Sequence, residues 1–477
     1  MKEHSLVRAF KLIPLLAALA GCAHVPYDGA RQPEPDFARA EHAASIKLAR
    51  DGWPEARWWT RYHDAQLDVL VDQALHDSPT LAVAASRVAQ ARAALGVAGS
   101  EGGASLGLEV GANRQRYSGN GLFPEPIGGN FFNDASVQVK AGYDFDWWGK
   151  HRAMVRAALG EVNARQAEAS QAEQTLAAAV AQTYFRLQVL LARVDNAQAM
   201  AAVQRDIVAD RKARIARGLA NIDEQNTAER DLGALNEQAA SLSAQAGREK
   251  EALRALVGAG PEDLATLRRQ PVASGIAGLP SRLGLELLAR RPDLQAARWH
   301  VEATLGRVAA RQAAFYPDIN LAGSFGLDAV SIGRLLRPDS RTMMIGSVVQ
   351  LPLFDSKRLG ADLGVARADR NAAIADYNQS VQRAVAEVAE EGATLQGLGK
   401  QAAAHAATRA SAAALAASAA KRMNQGLADR AALLTAKQGV LRQEESGLQL
   451  QDAALQTEVA LIKALGGGYR NEPTQQQ

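Results

Sequence analysis

Cysteine occurs once in the 477 residues, at position 22. No disulfide framework and no thiolate zinc cluster can be built from such a chain. Histidine is sparse too, with eight residues scattered without metal-ligand spacing. The net charge of +3 carries no signature of nucleic-acid binding. Beyond the N-terminus, no stretch reaches the roughly 18 uninterrupted apolar residues of a membrane-spanning helix. Any part that crosses a membrane must therefore be a β-barrel. The phosphate-cradling Gly-x-x-x-x-Gly-Lys and the zinc-binding His-Glu-x-x-His are absent. The sequence reads as a non-enzyme, without metal or cofactor.

What is present begins at the N-terminus. Lys2, Arg8 and Lys11 precede an apolar run from 12 to 20, a charged segment followed by a short hydrophobic one. The run falls short of the roughly 20 residues needed to span a bilayer. It ends in Leu19-Ala20-Gly21-Cys22, which resembles a bacterial lipobox. That resemblance implies a signal peptide over 1–21 and covalent lipid on Cys22 of the mature chain. By resemblance to sorted lipoproteins, Ala23 in place of Asp implies the outer membrane rather than inner-membrane retention. Residues 22–57 would then be a lipid-anchored linker.

Proline is missing from two long stretches, 127–260 and 353–472. Proline breaks helix interiors at about 3 kcal/mol, and these stretches are rich in Ala, Gln, Glu, Arg and Leu, all good helix formers. Segment 150–216 can be one helix of about 100 Å at 1.5 Å per residue. Alanine dominates its apolar positions and those of 402–417, so backbones can approach closely on more than one side. A coiled coil and a closed cylinder of helices both fit.

The chain also repeats itself. Arg214-x-x-x-Gly218-Leu219-Ala220 is matched by Arg422-x-x-x-Gly426-Leu427-Ala428. Ala255-Leu256-Val257-Gly258 ends the first copy and Ala464-Leu465-Gly466-Gly467 the second, each about 40 residues on. Pro79-Thr80-Leu81 and Pro292-Asp293-Leu294 open matching helices upstream. Repeats over 58–270 and 271–467 follow, with a polar, disordered tail expected over 468–477. Glycine suits a helix C-terminal cap, so Gly218 and Gly426 read as turns at the tips of two helical hairpins.

Before each hairpin the period changes from helical to two. Val137, Val139, Ala141, Tyr143 and Phe145 alternate with Gln138, Lys140, Gly142, Asp144 and Asp146. Leu106, Leu108, Val110 and Ala112 share one face of 105–112; Ile319, Leu321, Gly323, Phe325 and Leu327 share one face of 319–328. A fourth, less regular strand covers 343–353. Such strands fit a barrel with an apolar outside and a wet lumen lined by Gln138, Lys140, Asp144 and Asp146. Four strands cannot close a barrel, which needs about eight or more. A soluble half-buried hairpin would show the same alternation; if the strands cross a membrane, several chains must share one barrel, and three would give twelve strands.

Further motifs resemble one family. These are Trp58-Trp59-x-Arg-Tyr-His-Asp-x-Gln-Leu, Tyr143-Asp144-Phe145-Asp146-Trp147-Trp148-Gly149-Lys150, Leu279-Pro280-Ser281, Arg290-Arg291-Pro292-Asp293-Leu294, Phe315-Tyr316-Pro317-Asp318-Ile319 and Leu351-Pro352-Leu353-Phe354-Asp355. Together they resemble the TolC-like outer-membrane efflux-duct family, in its lipoprotein branch serving resistance-nodulation-division pumps. Asp355-Ser356-Lys357-Arg358 departs from the family's glycine-rich run at the second junction. The resemblance implies a mostly α fold with a membrane β-barrel: a homotrimer whose helical hairpins form a periplasmic tunnel below a shared twelve-stranded barrel. It also implies a periplasmic adaptor protein at the tunnel tip and an inner-membrane pump, with drugs or metals as cargo.

A resting duct must be closed where its helices converge. The family resemblance puts the aperture near the second tip, where Leu427 is expected as an apolar constriction and Asp429 as a ring of carboxylates, which would favour cations. Arg422 and Arg430 are candidates for ion pairs that hold the tips shut. Gly218, Leu219, Gly426 and Leu427 are candidates for adaptor contact, since an apolar tip needs a reason. Trp58 and Trp59 are read as packing residues, Arg290 and Arg291 as capping or pairing ones. Two other functions stay open on sequence alone: a type I protein-secretion duct, and a lipid-anchored coiled coil without a pore.

Overall fold

The structure, a computed structural model, describes residues 25–29, 52–260, 262–271, 287, 289–352 and 354–470. The signal peptide and Cys22 lie outside them. A short 3-10 turn, Trp58–Tyr62, leads into α1 (Ala65–Asp77) and α2 (Pro79–Ser100). Strands β1 (Ala104–Arg116) and β2 (Phe131–Asp144) follow, then α3 (Lys150–Ile215) and α4 (Ile222–Val257). The second copy runs α5 (Pro292–Ala313), β3 (Asp318–Ala329), β4 (Arg341–Gln350), α6 (Ser356–Asn424) and α7 (Arg430–Ala464). Pro79 and Pro292 each stand first in a helix, where a missing N–H removes no helical bond. Helix, strand pair and long helical hairpin thus occur twice in the same order, as the repeat predicted.

The chain forms two compact units. Of the described residues, the first takes those within 1–34, 87–165 and 297–377; the second takes those within 35–86, 166–296 and 378–477.

The first unit holds an antiparallel sheet in the order β1-β2-β3-β4. Its register sets Leu108 opposite Val139, Val139 opposite Phe325 and Phe325 opposite Met343. Because side chains alternate along a strand, that register gathers the alternating apolar positions of β1, β2 and β3 on one face with Met343, Ile345 and Val349 of β4. The face is bare: Leu106, Leu108 and Val110 are about as exposed as Met343 and Ile345. Helix packing in this unit is close. A Cβ on Gly160 would lie 2.9 Å from the backbone nitrogen of Ala303, and one on Gly306 would lie 2.8 Å from that of Ala157.

Strand ends differ from the alternation read in the sequence. β1 runs on to Arg116 and pairs Asn113, Arg114, Gln115 and Arg116 with 131–134. Alternation fades there because the last four residues of β1, Asn113 to Arg116, are polar on both faces. β4 begins at Arg341 and ends at Gln350, two residues before Pro352, which has no N–H to donate to a ladder. β2 stops at Asp144, so Asp146 is not a strand residue.

The second unit carries the main core. Trp58 and Trp59 are buried and meet edge to face at 5.8 Å, packing with Tyr62, Phe185, Leu253, Leu455 and Ile462 in one cluster. Tyr184 donates its hydroxyl to Asp64 at 2.5 Å, while Asp64 caps α1 by accepting from Gln66 N at 2.9 Å. Arg291 is buried, pairs with Asp293 at 2.6 Å and Glu387 at 2.8 Å, and donates to Ala464 O at 3.0 Å. A buried guanidinium is tolerable only when satisfied in this way. Of the expected tail, only residues 468–470 are described, and there Tyr469 N donates to Gly466 O at 2.9 Å.

Four long helices in this unit lie in the order α4, α3, α7, α6. Within the hairpins, Gln204 of α3 donates to Ala228 O of α4 at 2.9 Å, and Arg409 of α6 pairs with Glu444 of α7 at 3.1 Å. Between them, α3 and α7 are stitched by polar contacts. Gln182 and Gln456 donate to each other's backbone carbonyls at 3.3 and 2.9 Å. Arg193 pairs with Glu445 at 2.7 Å, and Asn196 donates to Leu441 O at 3.1 Å.

Candidate functional site

Three places carry the expected functional residues: the polar face of the sheet, the strand-to-helix junction and the hairpin turns. On the sheet, Gln138, Lys140 and Asp144 share the face opposite the apolar one, as alternation requires. Lys140 pairs with Glu109 of β1 at 2.5 Å, and both side chains are more than half exposed. Beside them the face carries the small residues Gly107, Gly111, Gly142, Ser324 and Gly326, the polar Asn320 and Asp328, and Met344 and Val348 of β4. A face of small and solvated groups can line water but holds no reactive constellation. Gly103-Ala104-Ser105-Leu106-Gly107 has the spacing of a hydrolase nucleophile elbow. It runs along β1 instead of turning into a helix, and Ser105 Oγ donates to Gly142 O at 3.4 Å.

Asp146 sits apart from that face. Its backbone φ is +44°, and its carboxylate accepts from His151 N at 2.8 Å and Arg152 N at 3.0 Å. Burial alone would raise its pKa, but the backbone amides of Arg152 and His151 and the Arg152 guanidinium outweigh it and lower the value. The expected lumen residue is thus a cap on the first turn of α3. The period-two reading ran two residues too far because Phe145 continued the apolar beat after the backbone had turned. At the same junction Trp148 stacks on Tyr316 at 4.6 Å and donates to Pro317 O at 2.8 Å. Trp147 donates to Ile319 O at 3.2 Å. Tyr143, Phe145 and Trp147 form an exposed aromatic row, of the kind found at a membrane–water interface.

The hairpin turns are near copies. Gly218 (φ +72°) and Gly426 (φ +71°) are left-handed. Leu219 N donates to Arg214 O at 2.9 Å and Leu427 N to Arg422 O at 2.8 Å, while Gly218 N donates to Ile215 O and Gly426 N to Met423 O. Both are Schellman caps. Asn221 then caps α4 by accepting from Glu224 N, and Asp429 caps α7 by accepting from Ala432 N, each at 3.0 Å. Leu219 and Leu427 stand in solvent at 67% and 73% exposure.

The two turns are tied together. Arg214 pairs with Asp429 at 3.2 Å and Arg430 with Asp206 at 3.3 Å. Of the gate candidates, Asp429 and Arg430 therefore meet partners, but on α3. Arg422 has no ion pair among the described residues. Arg214 and Asp206 were missed as tip residues. The repeat carried the signal for Arg214, which occupies the place of Arg422 in the other copy.

The family of outer membrane efflux proteins matches residues 70–259 and 283–467, one stretch for each repeat. The chain belongs to that family. The multidrug resistance outer membrane protein MdtP of Escherichia coli (strain K12) is 37% identical over 468 residues, covering 95% of each chain. MdtQ of Escherichia coli O157:H7 is 34% identical over 482 residues, covering 98% of this chain and 100% of its own. Among solved structures, VceC of Vibrio cholerae shares 32% identity with a TM-score of 0.79, over 87% of this chain and 100% of its own. CmeC of Campylobacter jejuni, an outer membrane channel at 20% identity, has the same fold, with a TM-score of 0.82 over 94% of this chain and 95% of its own. The chain is an efflux-channel protein of the outer membrane, and its bare apolar sheet face is the membrane-facing surface that such a location requires.

Proposed function

We propose that three copies close into a twelve-stranded barrel above a helical tunnel and passively conduct small toxic compounds out of the cell. The observation that carries this reading is the sheet itself. It is apolar on its outer face, and β1 and β4 each have one edge without a strand partner among the described residues. Open edges are not tolerated in lipid, so the edges belong against further copies. Leu219 and Leu427 would meet a periplasmic adaptor, and an inner-membrane resistance-nodulation-division pump would supply the energy. The names of the relatives favour drugs over unfolded polypeptide as cargo. Cys22 would carry the lipid.

The helices support the same closure and name its contacts. In the line α4, α3, α7, α6, the outer helices α4 and α6 lack a neighbour on one side. Counting from the turns, the repeat relates α3 to α6 and α4 to α7. The seam between α3 and α7 therefore predicts a seam between α6 of one copy and α4 of the next. Gln182–Gln456 becomes Glu390 with Arg248, Arg193–Glu445 becomes Gln401 with Glu237, and Arg214–Asp429 becomes Arg422 with Asn221. All three derived pairs are complementary. Arg422 thus finds a partner only on assembly.

At rest, Leu427 would narrow the tip and three Asp429 carboxylates would ring it, held by Arg214. Purified from outer membranes, the protein should run as a trimer of about 150 kDa, three chains of up to 50.6 kDa each; a stable monomer would overturn the shared barrel. Asp429→Ala with Arg422→Ala should let large antibiotics into cells lacking the pump. Unchanged entry would sink the gate but not the trimer.

A further inference from the structure

We propose that residues 25–28 are a docking peptide and that Arg367 and Arg370 of α6 are its receptor, so that the lipid-bearing N-terminus is seated on the protein instead of serving as a loose tether. The inference rests on the lipidation of Cys22 only for what the peptide carries, not for the dock. Each residue of the segment is engaged. Val25 packs against the cluster of Val308, Phe315, Leu359, Leu363 and Ala366. Arg367 donates to Pro26 O at 2.6 Å and to Tyr27 O at 3.1 Å. Arg370 grips both carboxylate oxygens of Asp28, one of them at 3.1 Å. The two arginines are three residues apart on α6 and so lie on one face of the helix.

The burial makes this more than a surface contact. The Arg370 side chain is 4% exposed and that of Arg367 14%. A guanidinium covered in this way needs a counter-charge. Asn371 offers Arg370 only a neutral acceptor, at 2.9 Å. The charge that matches it comes from the N-terminal peptide, more than 340 residues away in sequence. The fold has therefore built a cationic socket that its own N-terminal segment fills.

The place of the socket defines its use. Phe315 lies three residues before β3, and Leu359 lies in the first turn of α6 after β4. Val25 is thus held beside the helices on which the barrel strands begin and end. Cys22 is three residues away, so its acyl chains start within roughly 10 Å of that contact, since an extended chain spans about 3.3–3.6 Å per residue. The lipid enters the membrane next to the barrel wall.

The dock is tested by cutting the tether. A protease site is inserted after Asp36 of the full-length, outer-membrane-extracted protein, the chain is cut in detergent, and the channel is passed over a sizing column. The amino-terminal fragment should travel with the channel. From Asp28→Ala it should be lost on the order of a hundredfold faster, as expected for removing one partner of a buried ion pair. Arg367→Gln leaves the Arg370–Asp28 pair whole and should give an intermediate rate; it serves if Asp28→Ala fails to fold. Equal rates in wild type and variants, whether fast release or retention by the micelle, would overturn the dock. Mass spectrometry of the fragment separates the two readings: an unmodified Cys22 on a retained fragment would refute the lipid and leave the dock standing.

Discussion

At the scale of single residues, Asp146 shows how one carboxylate turns a strand into a helix. It stands in a left-handed conformation that Asp and Asn tolerate better than most, and it takes up amide protons that α3 leaves free. Asp146→Ala should destabilise the protein by about 1–2 kcal/mol in denaturant melts of the detergent-solubilised trimer, and Asp146→Asn by less. The acid response has a sign. The folded pKa of Asp146 lies below its unfolded value, so its stabilisation is complete above the usual Asp range, near pH 4, and fades as pH falls through the folded value. Stability of Asp146→Asn should therefore fall less on acidification than that of wild type. A variant with the same acid slope would show that the cap does not titrate as described.

Elements are decided by where a side chain cannot go. Gly218 and Gly426 have open space around a hypothetical Cβ, so substitution there acts through the backbone alone. Gly218→Ala should loosen the turn by about 1–2 kcal/mol, visible as faster amide exchange near 214–222 with little change in global unfolding. Gly160 and Gly306 are the opposite case. Their φ values are ordinary, but a Cβ would press on the facing backbone at 2.8–2.9 Å. Gly306→Val should therefore lower global stability by about 1–3 kcal/mol, the usual range for overpacking. If the two glycine classes responded alike, the distinction between turn and contact would fail.

For the whole molecule, the question is how an open line of helices and an open sheet become a duct. Both are unfinished at their edges, and in the proposed assembly both would be finished by the same operation, the addition of another copy. With Cys22 the sole native cysteine, Glu390→Cys combined with Arg248→Cys should give disulfide-linked species up to the trimer on a non-reducing gel. Neither single variant should do so. A ladder from the single variants, or none from the pair, would reject the derived seam.

Much of this was legible in the residues themselves. Proline-free, alanine-rich stretches permit long helices. Period-two alternation marked the strands, because one face of the sheet is apolar and the other polar. The doubled Gly-Leu-Ala element named both turns, since glycine there is required by a positive φ. Four strands against the minimum for a barrel demanded more than one chain. The tertiary structure decided what depends on distant parts of the chain meeting. Strand ends escaped the pattern where both faces are wet, and Asp146 left the strand because the backbone turned beneath an unbroken apolar beat. The partners of Asp429 and Arg430 lie more than 200 residues away, and the Asp28 that fills the Arg370 socket more than 340. Local periodicity reports which face a residue takes, but not which charge waits opposite it.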